Sequence, residues 1–372
     1  MEQRRATGKD HWYHETQSSS SAPEVLALVP EAARVGDPFC LDLTLPDTLE
    51  PEPAWLTHAR ELACGLLPDS VETSRFHTLS SYDRLSTALT VAQVYGVQRL
   101  CSHYAARLAP QPSPDSSRES NHRLTQITQY ARLLASQPTL ITSRSRQQLE
   151  DVGLSNADII TFHHIIGFIG FQARAIAVLQ ALSNITVRWL PGVDSPQEAD
   201  TALFLAPKRE WRAGIAAKNT LATPVVTSRL SPLAGMLAWD DGSLQQLNAL
   251  IEALVPANEE LTTLCELSSA RLNGCVARFD AASIRWPGVQ TLPEALRGGE
   301  HALQAWSHNH AHEHAYLQVL RLLTLTPASF SSTTLGPLRE LLMRDRDIWQ
   351  LLAWCGLSGW LDRLYAGLSE SD

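Results

Sequence analysis

Several features that mark common functional classes are missing from this chain of 372 residues. Its six cysteines are scattered, with no C-x-x-C pair and no zinc-ligand spacing, which is typical of reduced thiols in a cytoplasm. No apolar run approaches the length of a membrane span, and residues 1–10 lack the apolar core of a secretory signal. We therefore expect a cytoplasmic protein with no bound metal and no membrane partner.

Positive charge and phosphate-binding loops are also scarce. The formal net charge of -9 argues against a nucleic-acid partner and against a basic membrane-binding patch. The sequence contains no glycine-rich dinucleotide loop after a strand, no Walker loop and no G-x-S-x-G nucleophile elbow. We therefore expect no nucleic-acid partner and no cofactor.

Strand signals are nearly absent, whereas helical periodicity recurs throughout the chain. The two candidate strands, 186–190 and 224–227, are too short to build a sheet. Ser155 and Asp158 form a capping-box pattern that opens a long helix through Leu182, apolar on most sides. Such a helix is buried in a core or an interface, and we expect it to pack between copies or chains. The sequence predicts an all-α protein.

An internal repeat divides the chain into two copies. A shift of 189 residues aligns residue types that seldom match by chance: Pro138 with Pro327, Asp158 with Asp347, Gly170 with Gly359, and Arg174 with Arg363. A shift of 178 residues aligns Gly96 with Gly274, so the second copy carries an insertion after that point. We expect Arg174 and Arg363 to pair with carboxylates and to fix helix packing.

The repeat defines the predicted domain organisation. Residues 1–22 are polar and serine-rich, which predicts a flexible tail. A first helical domain spans 23–183, a proline-punctuated linker and lead-in span 184–232, and a second helical domain spans 233–372. We therefore predict two tandem domains related by duplication.

The stretch 260–283 contains a candidate reactive cysteine at the start of a predicted helix. A helical pattern ends at Asn273-Gly274, and Cys275 then stands at the start of a second helix. Exposed backbone N–H groups and the helix dipole favour thiolate at such a position, and Arg278 one turn later adds positive charge. We expect Cys275 to be the most readily alkylated cysteine if it is accessible. The alternative is a buried, inert cysteine.

The segment R-L-N-G-C-V-A-R resembles the N-G-C-x-x-C turn of the alkylhydroperoxidase D and carboxymuconolactone decarboxylase superfamily. Peroxidase members of that family have a Glu on the first helix, two Cys opening the second, and a His four residues after the second Cys. Those positions hold Thr263, Cys275, Arg278 and Ala282 here, with Glu266 one turn beyond the Glu position. The resemblance implies AhpD-like helical domains that assemble as homo-oligomers.

The first copy has no redox pair at the corresponding turn. Val97 and Leu100 stand at the two family Cys positions, and Tyr104 stands at the His position. The resemblance therefore implies that the second copy is the one that could be catalytic.

Three functions are consistent with these residues, and the sequence leaves open whether the protein is an enzyme. The first is a peroxidase-related protein with a degenerate thiol site at Cys275 and weak reduction of hydroperoxides. The second is a decarboxylase-like acid/base enzyme acting on a small organic acid, with Glu266, Arg278 and Asp280 in one pocket. The third is a non-catalytic ligand-binding or assembly protein. The candidate catalytic residues are Cys275, Glu266, Arg278 and Asp280.

Alternating histidines form the segment H-N-H-A-H-E-H at residues 308–314. On one continuous helix His308 and His312 would share a face, as would His310 and His314, and such pairs can bind a transition metal. No further ligand is fixed by spacing. We therefore interpret the segment as a solvated helix face rather than a metal site.

Overall fold

The computed structural model describes residues 29–186, 195–207, 210–219, 225–341 and 343–370. These residues form helices joined by turns and loops, with an isolated bridge between Ala213 and Ser369 and no strand in the described ranges. The prediction of an all-α chain is confirmed. The predicted tail at 1–22 and most of the candidate strand at 186–190 lie outside the described residues.

Helices fill most of the described chain up to residue 182. They are α1 (Trp55–Leu66), α2 (Ser81–Tyr95), α3 (Gln98–Leu108), α4 (Arg118–Ser136), α5 (Ser143–Asp151) and α6 (Asn156–Leu182). Short 3-10 turns precede α1, and another, Pro138–Leu140, separates α4 from α5. The predicted capping box at the start of α6 is present, because Ser155 and Asp158 each accept a hydrogen bond from the other's backbone N–H.

The later part of the chain repeats much of this order. Its helices are α7 (Ala202–Leu205), α8 (Ala234–Leu237), α9 (Asp241–Leu254), α10 (Glu259–Asn273), α11 (Val276–Arg285), α12 (Thr291–Gly298), α13 (Glu300–Ser307), α14 (Ala311–Leu325), α15 (Gly336–Glu340) and α16 (Asp345–Gly367). Helices α12 and α13 occupy the stretch where the sequence predicts an insertion. Residues 300–325 do not form one continuous helix, because the chain breaks between α13 and α14.

Helices α6 and α16 form the centre of the core and pack against each other along most of their length. The rings of Phe168 on α6 and Trp360 on α16 lie edge to face, with centroids 5.9 Å apart. A Cβ at Gly167 would lie 1.8 Å from the Trp360 ring, so only glycine lets that indole approach α6. Helix α6 is long and apolar enough to cross a membrane, but 94% of its most apolar window is buried inside the protein.

Two helical hairpins turn at glycines in the left-handed conformation. Helix α2 ends at Gly96 with φ 67°, and α10 ends at Gly274 with φ 76°. Glycine permits the conformation of both turns, because other residues rarely adopt positive φ. A Cβ at Gly274 would also lie 2.1 Å from Cγ2 of Thr139, so the turn of α10 has no room for a side chain.

Replacing Gly274 by alanine is expected to lower the free energy of unfolding by about 1–3 kcal/mol, because it adds backbone strain and a steric clash. Urea denaturation followed by circular dichroism measures this loss. The matched control is Gly65→Ala in α1, where an added Cβ meets no atom within 4 Å. That substitution should leave stability unchanged or raise it by about 0.5–1 kcal/mol. Equal stability of the two variants would contradict the role of Gly274.

Two buried arginines join the halves of the described chain through reciprocal contacts. Arg174 of α6 donates from Nη2 to the carbonyl of Thr324 at 2.6 Å, and Arg363 of α16 donates from Nη2 to the carbonyl of Ala135 at 2.8 Å. Each also donates from Nη1 to the carbonyl four residues earlier in its own helix. The 189-residue shift that aligns the two arginines also aligns Ala135 with Thr324.

These contacts correct the expectation that Arg174 and Arg363 pair with carboxylates. Their hydrogen-bond partners within the described residues are backbone carbonyls, although the predicted role in helix packing holds. Both guanidinium groups also lie over the ring of Tyr95, 4.5 Å and 5.7 Å from its centroid. The ring face offers the negative charge density that a carboxylate would otherwise supply to a buried cation.

Candidate functional site

The hairpin α10–α11 places Cys275 where the sequence predicts it, at the start of a helix. Cys275 is the N-cap residue of α11, and its backbone N–H donates to the carbonyl of Ala270 at 2.8 Å. Its side chain makes no capping hydrogen bond. The thiol is buried, with 7% of the residue exposed, so the alternative of a buried cysteine describes its position.

The predicted thiolate at Cys275 is wrong, because burial dominates the chemistry of this position. Burial and, to a smaller extent, Asp362 raise the pKa of the Cys275 thiol to about 12, and Arg278 only partly offsets them. All six cysteines are free, and Cys64 is exposed whereas Cys275 is not. An alkylating reagent should therefore reach Cys64 before Cys275.

A carboxylate that sequence analysis did not select, Asp362 of α16, organises the hydrogen bonds beside Cys275. It accepts from Oγ of Ser269 at 2.6 Å and from Nδ2 of Asn273 at 2.9 Å. It also forms a buried ion pair with Arg278, whose Nη1 donates in addition to the carbonyl of Ser358 at 2.7 Å. We refer to Ser269, Asn273, Arg278 and Asp362 as the Asp362 network, which fastens both helices of the hairpin to α16.

Glu266 lies in α10 within the electrostatic reach of Arg278, and two other arginines hold its carboxylate. It is 1% exposed, accepts from Nε of Arg229 at 2.6 Å, and forms a second ion pair with Arg285. Burial by itself raises the pKa of the Glu266 carboxyl, but Arg278, Arg229 and Arg285 together lower it below its ordinary value. Glu266 is therefore ionised at neutral pH.

Asp280 occupies a different side of α11 from Arg278. The two residues are two positions apart on the helix, and residues at that spacing do not face each other. Asp280 forms an ion pair with Arg297 of α12, and the Arg297 guanidinium lies 5.1 Å from the ring centroid of Phe279. The structure thus brings Cys275 and Glu266 close to Arg278, whereas it directs Asp280 towards α12.

The pKa values of the ionisable groups around Arg278 are shifted away from neutral pH, where proton transfer would require them. Burial raises the pKa of the Tyr365 hydroxyl to about 12, as it does for Cys275. Glu266 has a lowered pKa and both carboxylate oxygens in ion pairs. A general acid or base works best with a pKa near the operating pH. This arrangement stabilises fixed charges but offers no group poised to exchange a proton.

Three residues of this site, Asp362, Arg229 and Arg285, are not among the candidates predicted from the sequence. The sequence pattern could have pointed to Asp362, because it is an acidic residue within the apolar C-terminal half of a helix that is predicted to be buried on all sides. No sequence pattern pointed to Arg229, because it belongs to the predicted lead-in and reaches Glu266 across 37 residues of sequence. Val97, Leu100 and Tyr104, at and after the turn that follows α2, are buried.

The histidine segment at 308–314 is not one helical face. His308 follows the last residue of α13 and His310 is the N-cap of α14, so the predicted pairing of His308 with His312 on a continuous helix is wrong. The His310 ring lies against Trp306, with centroids 3.9 Å apart. Across the described residues, the structure contains no cluster of three His, Cys, Asp or Glu side chains arranged to hold a metal ion.

Comparison with models of known protein families gives no match to this chain, and comparison with curated proteins gives none either.

Proposed function

We propose that this protein is a tandem, peroxidase-related member of the AhpD and carboxymuconolactone decarboxylase-like superfamily whose thiol site has become structural. In this proposal the protein acts as a non-catalytic ligand-binding or assembly protein rather than as a hydroperoxide reductase. The observation that carries the proposal is the burial of Cys275, which raises the pKa of its thiol to about 12.

The proposal that the two halves are duplicated AhpD-like domains draws support from repeated structural details. Each half contains a hairpin whose first helix ends at a left-handed glycine, Gly96 or Gly274. Each half ends its helical series with a long buried helix, α6 or α16. The reciprocal arginine contacts fall on positions aligned by the same sequence shift, which is what two related copies would produce.

The chemistry of a thiol peroxidase explains why burial argues against turnover. Thiolate attacks the O–O bond, a sulfenic acid forms and an alcohol or water leaves, and a second thiol must then resolve the sulfenic acid. A thiol with a pKa of about 12 is almost entirely protonated at neutral pH. The second family Cys position holds Arg278, which forms an ion pair with Asp362.

The acid/base alternative receives less support from the same contacts. It requires Glu266, Arg278 and Asp280 to act together on a small organic acid. Arg278 is already paired with Asp362, Glu266 with Arg229 and Arg285, and Asp280 with Arg297. An anionic substrate at Arg278 would have to displace Asp362 from a buried arginine, which is costly.

Peroxide consumption with a dithiol reductant tests the proposal. Wild type and Cys275→Ser are expected to consume hydrogen peroxide at equal, background rates, and mass spectrometry should find Cys275 unmodified in the folded protein. Cys64→Ser is the matched control, because it removes an exposed thiol that peroxide can oxidise without turnover. Rapid, repeated turnover that disappears in Cys275→Ser and persists in Cys64→Ser would overturn the proposal.

The resemblance also leads us to propose a homo-oligomer of these helical units in the cytoplasm. Sedimentation equilibrium of the full chain should then give a mass that is at least twice the chain mass of 41.0 kDa.

A further inference from the structure

A polar cleft of about 420 Å³ lies away from Cys275, where α1, α2 and α6 meet the start of α9. Its volume falls within the range of about 300–1,000 Å³ that small-molecule sites occupy. The polar side chains that line it include Glu61, His77, Arg84, Thr161, Asp240 and Gln246. Helices from both halves of the chain therefore contribute to its walls.

Arg84 supplies a guanidinium with spare hydrogen-bond donors in this cleft. Its one hydrogen bond within the described residues runs from Nη1 to the carbonyl of Leu66 at 3.0 Å. Its Nε is buried and has no partner, and the described residues give it no ion pair. A half-buried arginine is ordinarily paired with a carboxylate or bonded through several donors. Asp240 and Asp158 attract the Arg84 guanidinium electrostatically without a hydrogen bond to it, so its free donors offer a hydrogen-bonding position for an anionic group.

Acceptors occupy the rest of the cleft wall. Asp240 receives hydrogen bonds from Oγ1 of Thr161 at 2.7 Å and from Oγ of Ser243 at 2.9 Å. Burial disfavours its charged form, but His164, Thr161 and Ser243 lower its pKa below the ordinary value, so Asp240 is ionised at neutral pH. Oε1 of Gln246 is buried and has no hydrogen-bond partner among the described residues.

The charged side chains that line the cleft determine which charges a small ligand must carry. Arg84 contributes one positive charge, whereas Asp240 and Glu61 contribute two negative charges. A simple anion would gain Arg84 but meet repulsion from both carboxylates, and a simple cation would be repelled by Arg84. A molecule with both charges satisfies both walls of the cleft.

We propose that this cleft binds a small zwitterion that carries a carboxylate and an ammonium group, as an amino acid does. The carboxylate accepts from Arg84, and the ammonium donates to Asp240, Glu61 and the free oxygen of Gln246. The site lies outside the Asp362 network, so this inference goes beyond the proposed function and does not depend on the outcome of the peroxide test.

Isothermal titration of the full chain tests the inference with small probes that carry both charges, only the negative charge or only the positive charge. The zwitterions β-alanine and 4-aminobutyrate are compared with butyrate, which lacks the ammonium, and with butylamine, which lacks the carboxylate. At least one zwitterion is expected to bind saturably, and both single-charge probes roughly tenfold or more weakly, because each loses charge-assisted hydrogen bonds.

Three variants assign the binding to the cleft. Arg84→Gln and Asp240→Asn should each weaken binding of the zwitterion roughly tenfold or more. Asp240→Asn removes the charge while keeping an N-cap residue for α9 and an acceptor for Thr161. Arg118→Gln, at an exposed arginine on α4, is the matched control and should bind like wild type.

Two results would overturn the inference. One is the absence of saturable binding of either zwitterion by the folded wild type at millimolar concentrations. The other is wild-type affinity in both Arg84→Gln and Asp240→Asn, which would put the binding elsewhere. Circular dichroism checks that each variant is folded, and the comparison of probes on wild type decides the charge requirement even if a variant unfolds.

Discussion

Replacing Asp362 by alanine is expected to lower the free energy of unfolding by about 3–5 kcal/mol, the usual consequence of breaking a buried ion pair. Asp362 is fully buried, and its removal leaves the Arg278 guanidinium buried without its carboxylate. Ser269 and Asn273 lose an acceptor in the same step. The loss reaches this size because a desolvated charge cannot recover its hydration inside the core.

Urea denaturation followed by circular dichroism measures the effect, and a second Asp–Arg pair provides the control. Asp280→Ala removes the partner of Arg297, whose side chain is 26% exposed, and should cost about 0–1 kcal/mol. The double variant Asp362→Leu with Arg278→Met should recover much of the loss, because apolar residues can replace a buried ion pair. If Asp362→Ala and Asp280→Ala are equally stable, the Asp362 network has no structural role.

Acidification from pH 7 to pH 4 is expected to destabilise the protein by several kcal/mol through two buried histidines of α6. Burial lowers the pKa of His163 to about 3 and that of His164 to about 4. In the unfolded chain both take up a proton near pH 6.5, whereas the folded protein keeps them neutral. The unfolded state therefore binds more protons below about pH 6.5, so stability falls as the pH falls. His164 alone should account for about 3 kcal/mol of this loss.

His164 is the better residue with which to test this pH dependence. Within the part of the chain that the structure describes, neither of its ring nitrogens has a hydrogen-bond partner, whereas His163 contacts Tyr130 and the carbonyl of Ile159. The variant His164→Leu should flatten the dependence of unfolding free energy on pH between 6.5 and 4. His122→Leu, at an exposed histidine of α4, should leave the slope unchanged. An unchanged slope in His164→Leu would show that this histidine does not carry the acid sensitivity.

The sequence by itself determined the features of this protein that depend on neighbouring residues. Helical periodicity predicted the all-α chain, and the serine–aspartate pattern predicted the start of α6, because caps and periodicity act within one or two turns. Gly274 likewise predicted the turn before Cys275, since the left-handed conformation belongs to the residue itself. In contrast, sequence periodicity did not reveal the break between His308 and His310, where α13 ends and α14 begins.

Only the tertiary structure decided the electrostatics of the candidate site. A helix start favours thiolate locally, but the packed core buries Cys275, Asp362 of α16 lies near it, and desolvation then outweighs the local effect. Asp362 reaches Arg278 across 84 residues of sequence, and Arg229 reaches Glu266 across 37. Burial and charge pairing depend on which helices meet, and that is a property of the packed core rather than of any single segment.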